Sequence, residues 1–201
     1  HGEKAGFSEA STDINSLLAN KDINTIVIAT RHNSHAYFVK QVLAAQKNVF
    51  VEKPLALTME EIDRIEAVYS NNTQNNQTTR IMVGFNRRFA PQIQKMKSLL
   101  DSVKEPKSFI MTMNAGAIPE DHWTQDNLVG GGRIIGEACH FIDLMRFLAN
   151  SKIVSIQARR MGESDAVPVA EDKASITLGF EDGSFGTIFY LANGAASFPK
   201  E

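Results

Sequence analysis

Three short apolar runs separated by stretches of helical spacing constrain this chain more than any other feature. Residues 25–30 (Thr-Ile-Val-Ile-Ala-Thr), 48–52 (Asn-Val-Phe-Val-Glu) and 80–85 (Arg-Ile-Met-Val-Gly-Phe) are rich in β-branched side chains and have no regular polar face. Strands that are apolar on both faces belong inside a parallel sheet covered by helices. The stretches between them, 34–46 and 58–70, read as those helices. The second opens on Thr58-Met-Glu-Glu61, a capping box in which two side chains satisfy backbone N–H groups of the first turn. Strand, helix, strand, helix, strand then predicts right-handed crossovers and a parallel order. Residues 11–20 are expected as a short helix capped by Ser11 or Thr12, and the Asn- and Gln-rich residues 71–79 as a surface loop.

Beyond Phe89 the texture changes. Pro91 fits the first turn of a helix reaching about residue 101. Residues 107–114 alternate as a half-buried strand, and 116–132 form a long irregular connection that holds Trp123. A connection of that length inside a compact domain is usually functional. Residues 133–149 have helical spacing, and strands are expected at 153–161, 173–180 and 184–190, the last two joined by the Glu181-Asp182-Gly183 hairpin signal. The fold class is therefore α/β: a partial doubly wound parallel sheet, then an α/β domain with a mainly antiparallel sheet. The expected division is 1–86 and 87–201. In such a sheet, 184–191 exposed as an edge would invite pairing with another chain.

Composition matters mainly for what it excludes. With 21 basic and 23 acidic residues the formal charge is −2, so no electrostatic case exists for nucleic acid or an anionic membrane. No run approaches the roughly twenty apolar residues of a membrane helix. The single cysteine, Cys139, rules out an internal disulfide and fits a reducing compartment, with cytoplasm as the default.

Two segments carry candidate chemistry. The run 48–51 stops on Glu52-Lys53-Pro54, at the strand's carboxyl end, where open α/β sheets bind ligands. Residues 130–143 (Gly-Gly-Gly-Arg-Ile-Ile-Gly-Glu-Ala-Cys-His-Phe-Ile-Asp) run from a glycine turn into a polar-faced helix. Lys53 can equally be a solvated surface lysine, and His140 a satisfied core histidine. Glu137 and Asp143 each lie three residues from His140 on the same helical face, so both compete to partner its imidazole. A metal site of Glu137, His140 and Asp143 is disfavoured, because one Glu-x-x-His helix does not supply a ligand set. Cys139 has no spacing that supports a nucleophile.

These residues carry a resemblance. The stretches Ile26-Val-Ile-Ala-Thr30 with Asn33 and His35, Val49 through Leu57, Val83-Gly-Phe-Asn-Arg-Arg-Phe89, and Gly130 through Asp143 resemble the glucose–fructose oxidoreductase / inositol dehydrogenase / MocA family of nicotinamide-dependent dehydrogenases in order and spacing. The likeness covers nearly the whole chain. It implies NAD or NADP as cofactor and a secondary hydroxyl of a sugar or polyol as substrate. It also implies a homo-oligomer through the C-terminal sheet. Lys53, aimed by a cis Lys53–Pro54 bond, would donate to the reacting hydroxyl, and His140 would take its proton, with Glu137 as partner carboxylate. Thr30, Asn33, His35, Glu52 and Lys53 would border the nicotinamide half of the cofactor, although Asn33 and Ser34 also read as a helix cap. Arg87, His122, Trp123 and Asp143 would face substrate, against plainer readings as solvated arginine, loop anchors or helix polar face. Two departures stand out: Arg31 replaces a common proline, and Gly136 replaces the Asp that many members place four residues before the catalytic histidine. No Gly-x-Gly-x-x-Gly turn precedes Thr25, so the chain is expected to be a fragment of a longer enzyme and inactive alone. The rival expectation is a ligand-sensing or assembly module of the same fold that has lost catalysis.

Overall fold

The protein was analysed as a computed structural model that describes residues 2–75, 78–162, 169, 171–195 and 197–198. Strands β1 (Thr25–Ile28), β2 (Asn48–Val51) and β3 (Ile81–Val83) pair in parallel in the order β1-β2-β3. They are preceded by α1 (Ile14–Ala19) and joined by α2 (His32–Ala44) and α3 (Met59–Gln74). Ile26, Val49 and Ile81 align across the sheet, as do Ile28, Val51 and Val83. Both rows pack with Val39, Val42, Leu43 and Ile65 into one core. The intervening row, Val27-Phe50-Met82, faces the other way, and Val27 is 66% exposed.

Local sequence set these elements, with three shifts. Asp13 rather than Ser11 or Thr12 caps α1, accepting from the N–H of Asn15 at 2.9 Å. α2 starts at His32, two residues earlier than expected, because the Asn33 N–H is satisfied from far away by the Val129 carbonyl at 3.1 Å. α3 continues into the segment expected to be a loop. Asn72 is buried there and donates to the Leu43 carbonyl at 2.8 Å and to the Thr79 hydroxyl at 3.3 Å, so a polar residue satisfies a buried position. Asn76 and Gln77 of that segment lie outside the described residues. The capping box at Thr58 and Glu61 forms as expected.

A 3₁₀ turn at Asn86–Phe89 leads into α4 (Pro91–Asp101) and the second sheet. Its strands are β4 (Ser108–Asn114), β5 (Ile153–Arg160), β6 (Ala174–Phe180) and β7 (Phe185–Leu191), in the order β4-β7-β6-β5. β6 pairs antiparallel with both neighbours, whereas β4 and β7 are parallel. β7 is thus interior, which corrects the expectation of an edge at 184–191; β4 and β5 are the edges. α5 (Cys139–Ala149) covers one face, where Phe141 and Met145 pack with Met113, Ile176, Leu178 and Ile188. The opposite face presents Ile110, Phe185 and Phe189, and Ile110 is 82% exposed. The helix expected over 133–149 is split: Ile134–Ala138 form a wider π-helical turn before α5 begins. Among the described residues no helix is long and apolar enough to cross a membrane.

Candidate active site

The two regions meet where β2 ends and the π turn begins. The cis Lys53–Pro54 bond follows β2. From there the Lys53 amine crosses to the second region, donating to the Gly136 carbonyl at 2.7 Å and to Glu137 Oε1 at 3.0 Å. An ammonium has three N–H donors, so one remains for a ligand. Glu137 is therefore placed beside Lys53, a partner the helical spacing alone had not given it. His140 lies one turn further on, 7% exposed, its ring edge-on to Phe85 at 6.0 Å between centroids. Its Nδ1 is buried without a hydrogen-bond partner. Burial, then the positive charges of Lys53 and Arg87, hold its pKa below the usual histidine value, against weaker opposition from Glu137 and Asp143. An open cavity of about 570 Å³, lined by Asn86, Arg87, Phe89, Ala90 and His140, reaches the imidazole from the 3₁₀ turn.

Asp143, the other candidate partner of His140, is taken up elsewhere: it accepts a forked pair of bonds from Arg88, one from Nε at 3.0 Å. Cys139 is a half-buried thiol whose pKa desolvation pushes up to about 11, which leaves it a poor nucleophile. Arg87 stacks over the Phe141 ring at 4.5 Å. Among the described residues no group of three or more His, Cys, Asp or Glu side chains could hold a metal.

Of the residues expected to border a dinucleotide, Thr30, Asn33 and Glu52 are exposed at the carboxyl ends of β1 and β2. The backbone of Gly84 lies so close to the Glu52 carboxylate that a Cβ there would come within 3.0 Å of it. His35 is a correction. It is fully buried, with Nδ1 2.7 Å from the Pro54 carbonyl and Nε2 3.0 Å from the Thr30 carbonyl. It ties the turn carrying Lys53 to the end of β1 and cannot itself touch a ligand. The exposed Thr30, Asn33 and Glu52 carry a hydroxyl, an amide and a carboxylate, polar groups of the kind that a nicotinamide riboside can hydrogen-bond.

The long connection folds back on the first region. Arg133 is buried and donates to the Ala115 and Gly116 carbonyls, closing the loop at its base. Just before Arg133, Gly131 and Gly132 both take left-handed φ angles, +74° and +76°, and a Cβ on Gly130 would stand 2.4 Å from the Thr124 backbone. Trp123 ends up edge-on to His32 at 4.8 Å, with the Arg31 guanidinium 5.5 Å from its ring centre. His122 is exposed, its Nδ1 held by Thr124. His32 itself was not singled out in the sequence. It bonds through Nδ1 to the Gly130 carbonyl at 2.7 Å, and burial lowers its pKa. The only signal for it was its position two residues past the β1 run.

This arrangement can be set beside known proteins. The model of an oxidoreductase family with an NAD-binding Rossmann fold matches residues 2–85, and that of the GFO/IDH/MocA C-terminal domain matches 93–197. The chain is 31% identical over 193 residues to the 1-carboxy-3-chloro-3,4-dihydroxycyclohexa-1,5-diene dehydrogenase of Comamonas testosteroni, covering 93% of this chain and 47% of that one. It is 25% identical to the myo-inositol 2-dehydrogenase of Thermotoga maritima, covering 92% and 55%. A solved NAD-binding protein from Listeria innocua shares the fold with a TM-score of 0.78 at 24% identity, over 99% of this chain and 57% of that one. The chain thus spans about half the length of the curated relatives it matches. With both of its regions matched in order, the chain belongs to the GFO/IDH/MocA family of oxidoreductases.

Proposed function

We propose that this chain carries the catalytic centre of an NAD(P)-dependent dehydrogenase that oxidises a secondary hydroxyl of a sugar, polyol or related ring, or runs the reverse. The observation that carries this reading is the reach of the Lys53 amine from the first region onto Gly136 and Glu137, one helical turn before His140. Lys53 donates its remaining N–H to the substrate hydroxyl and steadies the charge that develops on its oxygen. His140 accepts the hydroxyl proton at Nε2, since Nδ1 is buried. Glu137 keeps the amine aimed. A bound nicotinamide, bordered by Thr30, Asn33 and Glu52, would supply the hydride acceptor. The relative from Comamonas testosteroni is named for a ring that carries two adjacent hydroxyls, which suits a cleft rich in polar side chains.

Residues 1–86 serve as the cofactor side and 87–201 as the substrate side. The exposed face of the second sheet serves as a subunit interface, supported by Ile110, Phe185 and Phe189 standing open on it. The 201 residues alone bind dinucleotide weakly, at millimolar affinity or poorer on the order-of-magnitude costs of association, because no Gly-x-Gly-x-x-Gly turn precedes β1 to cradle a pyrophosphate. Calorimetry with NAD and NADP on the chain, followed by turnover of a polyol panel by the intact protein that contains it, tests the reading. A micromolar dissociation constant for the chain would remove the weak-binding claim. Absence of any alcohol oxidation by the intact protein would remove the catalytic one.

One observation favours a second reading. If His140 is the base at Nε2, its neutral form carries the proton on an Nδ1 that has no acceptor, and such a buried orphan costs about 1–3 kcal/mol. A relative that senses ligand without chemistry would tolerate this more easily. Binding of polyol and cofactor without turnover is its expected outcome.

A further inference from the structure

The space beside Gly136 is filled from the other region. A Cβ placed on Gly136 would stand 3.0 Å from Cε1 of His32 and 3.4 Å from its Nδ1, so a side chain at 136 would crowd the imidazole and press it out of its present place. The ring is fixed on three sides: Nδ1 by the Gly130 carbonyl, one edge by Trp123, and the helix behind it by the bond from the Asn33 N–H to Val129. A carbonyl only accepts, so Nδ1 must donate and carry the proton. The neutral ring then presents Nε2 as a bare acceptor. Among the described residues that atom makes no hydrogen bond, and it is not buried without a partner, so it opens to solvent space.

We infer that His32 is a substrate-recognition residue: its Nε2 accepts a hydrogen bond from a second hydroxyl adjacent to the one held by Lys53, which makes this centre selective for vicinal diols of a ring. This rests on the dehydrogenase reading of the same cleft. The groups around the reacting position divide the work. Lys53 offers a donor, and His32 offers an acceptor whose tautomer is locked from behind. Burial and the nearby Lys53 charge keep the ring neutral and so keep the acceptor available. The inference also explains why Gly136 and His32 occur together: one makes room for the other.

The test is long-range ¹H–¹⁵N correlation spectroscopy of the ¹⁵N-histidine-labelled chain, with His32 assigned from His32→Gln and His140 from His140→Asn. The probes are myo-inositol, cis-1,2-cyclohexanediol and cyclohexanol. The expected result is an Nδ1-protonated His32 whose Nε2 resonance moves with the two vicinal diols and not with cyclohexanol, while His140 responds to all three. A proton on Nε2, an equal response to cyclohexanol, or a still His32 beside a responding His140 would overturn the inference and leave the dehydrogenase reading in place. A chain in which neither histidine responds to any probe would overturn both.

Discussion

The first region presents its candidate groups from strand ends, whereas the second presents its own from a helix laid against its sheet and the turn before it. Lys53 is positioned by β2, by backbone hydrogen bonds that continue past the strand, and by His35 beneath the turn. Glu137 and His140 are positioned by the packing of α5 on β6 and β7, through Phe141 and Met145. The strands of the first region therefore serve directly as arms. In the second they are a foundation, and their side chains stay out of the site. The two modes also respond differently to damage. Strand ends are rigid as long as the ladder holds, while the helix depends on the packing beneath it.

If both halves are needed for one chemical step, Lys53→Met and His140→Asn should each lower kcat of the intact protein by roughly 10²- to 10⁴-fold. The double variant should be little worse than the singles, as for groups that act as a unit. Additive losses in steady-state kinetics would show that the two regions contribute independently and would break the comparison.

Leu178→Ala removes a fully buried side chain from the foundation of the second region and should cost about 2–5 kcal/mol in denaturant unfolding. If the helix mode is right, kcat should fall with it even though Leu178 is remote from Lys53. Glu137→Ala should cost roughly 10²-fold in turnover, as general acid–base elements do. Its side chain is 38% exposed, so screening should leave the loss of stability small. Undiminished turnover would assign the aiming of Lys53 to the Gly136 carbonyl alone.

Two histidines sharpen the comparison through pH. His32 belongs to the first region and His140 to the second, and both have folded pKa values below 6.5. The folded chain binds fewer protons than the unfolded one, so their contribution is fully present above pH 6.5. It is lost as pH falls through the lowered folded values. Chemical unfolding between pH 7 and 5 should show this decline, and His32→Gln or His140→Asn should each flatten it. A flat profile in the unaltered chain would contradict the burial assigned to both rings. The smallest effect is expected at Val27→Thr, on the open face of the first sheet, within about 0.5 kcal/mol in the same assay. A larger cost would mean that this face is covered.

What was legible in the sequence follows the range of the forces involved. The runs at 25–30, 48–52 and 80–85 and the Thr58 box are local signals, and they placed the first sheet and its crossovers. The candidate residues Lys53, Glu137 and His140 were found by their spacing and the family likeness, and the structure brings them to one place. The errors came from partners distant in sequence. β7 was misjudged because its neighbour β4 lies nearly eighty residues earlier and pairs in parallel. α2 was started late because the N–H of Asn33 is met by Val129 in the 116–132 connection. His35 was given to the cofactor because nothing in a heptapeptide shows that both of its nitrogens face carbonyls. His32 was passed over for the same reason, since what makes it informative is the emptiness at Gly136.

The turn at Ile134–Ala138 holds more residues than an ordinary helical turn. In terms of chain length it is equivalent to a single inserted residue absorbed as a bulge. Each residue of a regular helix advances about 100°, so deleting Ala138 would let the helix regularise and rotate everything before it by that angle relative to His140. Gly136 and Glu137 would then swing away from the Lys53 amine, and the glycine turn that anchors His32 would be carried with them. A spacing of this kind can be lost by a single deletion, yet it tolerates many substitutions at Ile135, which is exposed. What is specified there is a length, counted in residues.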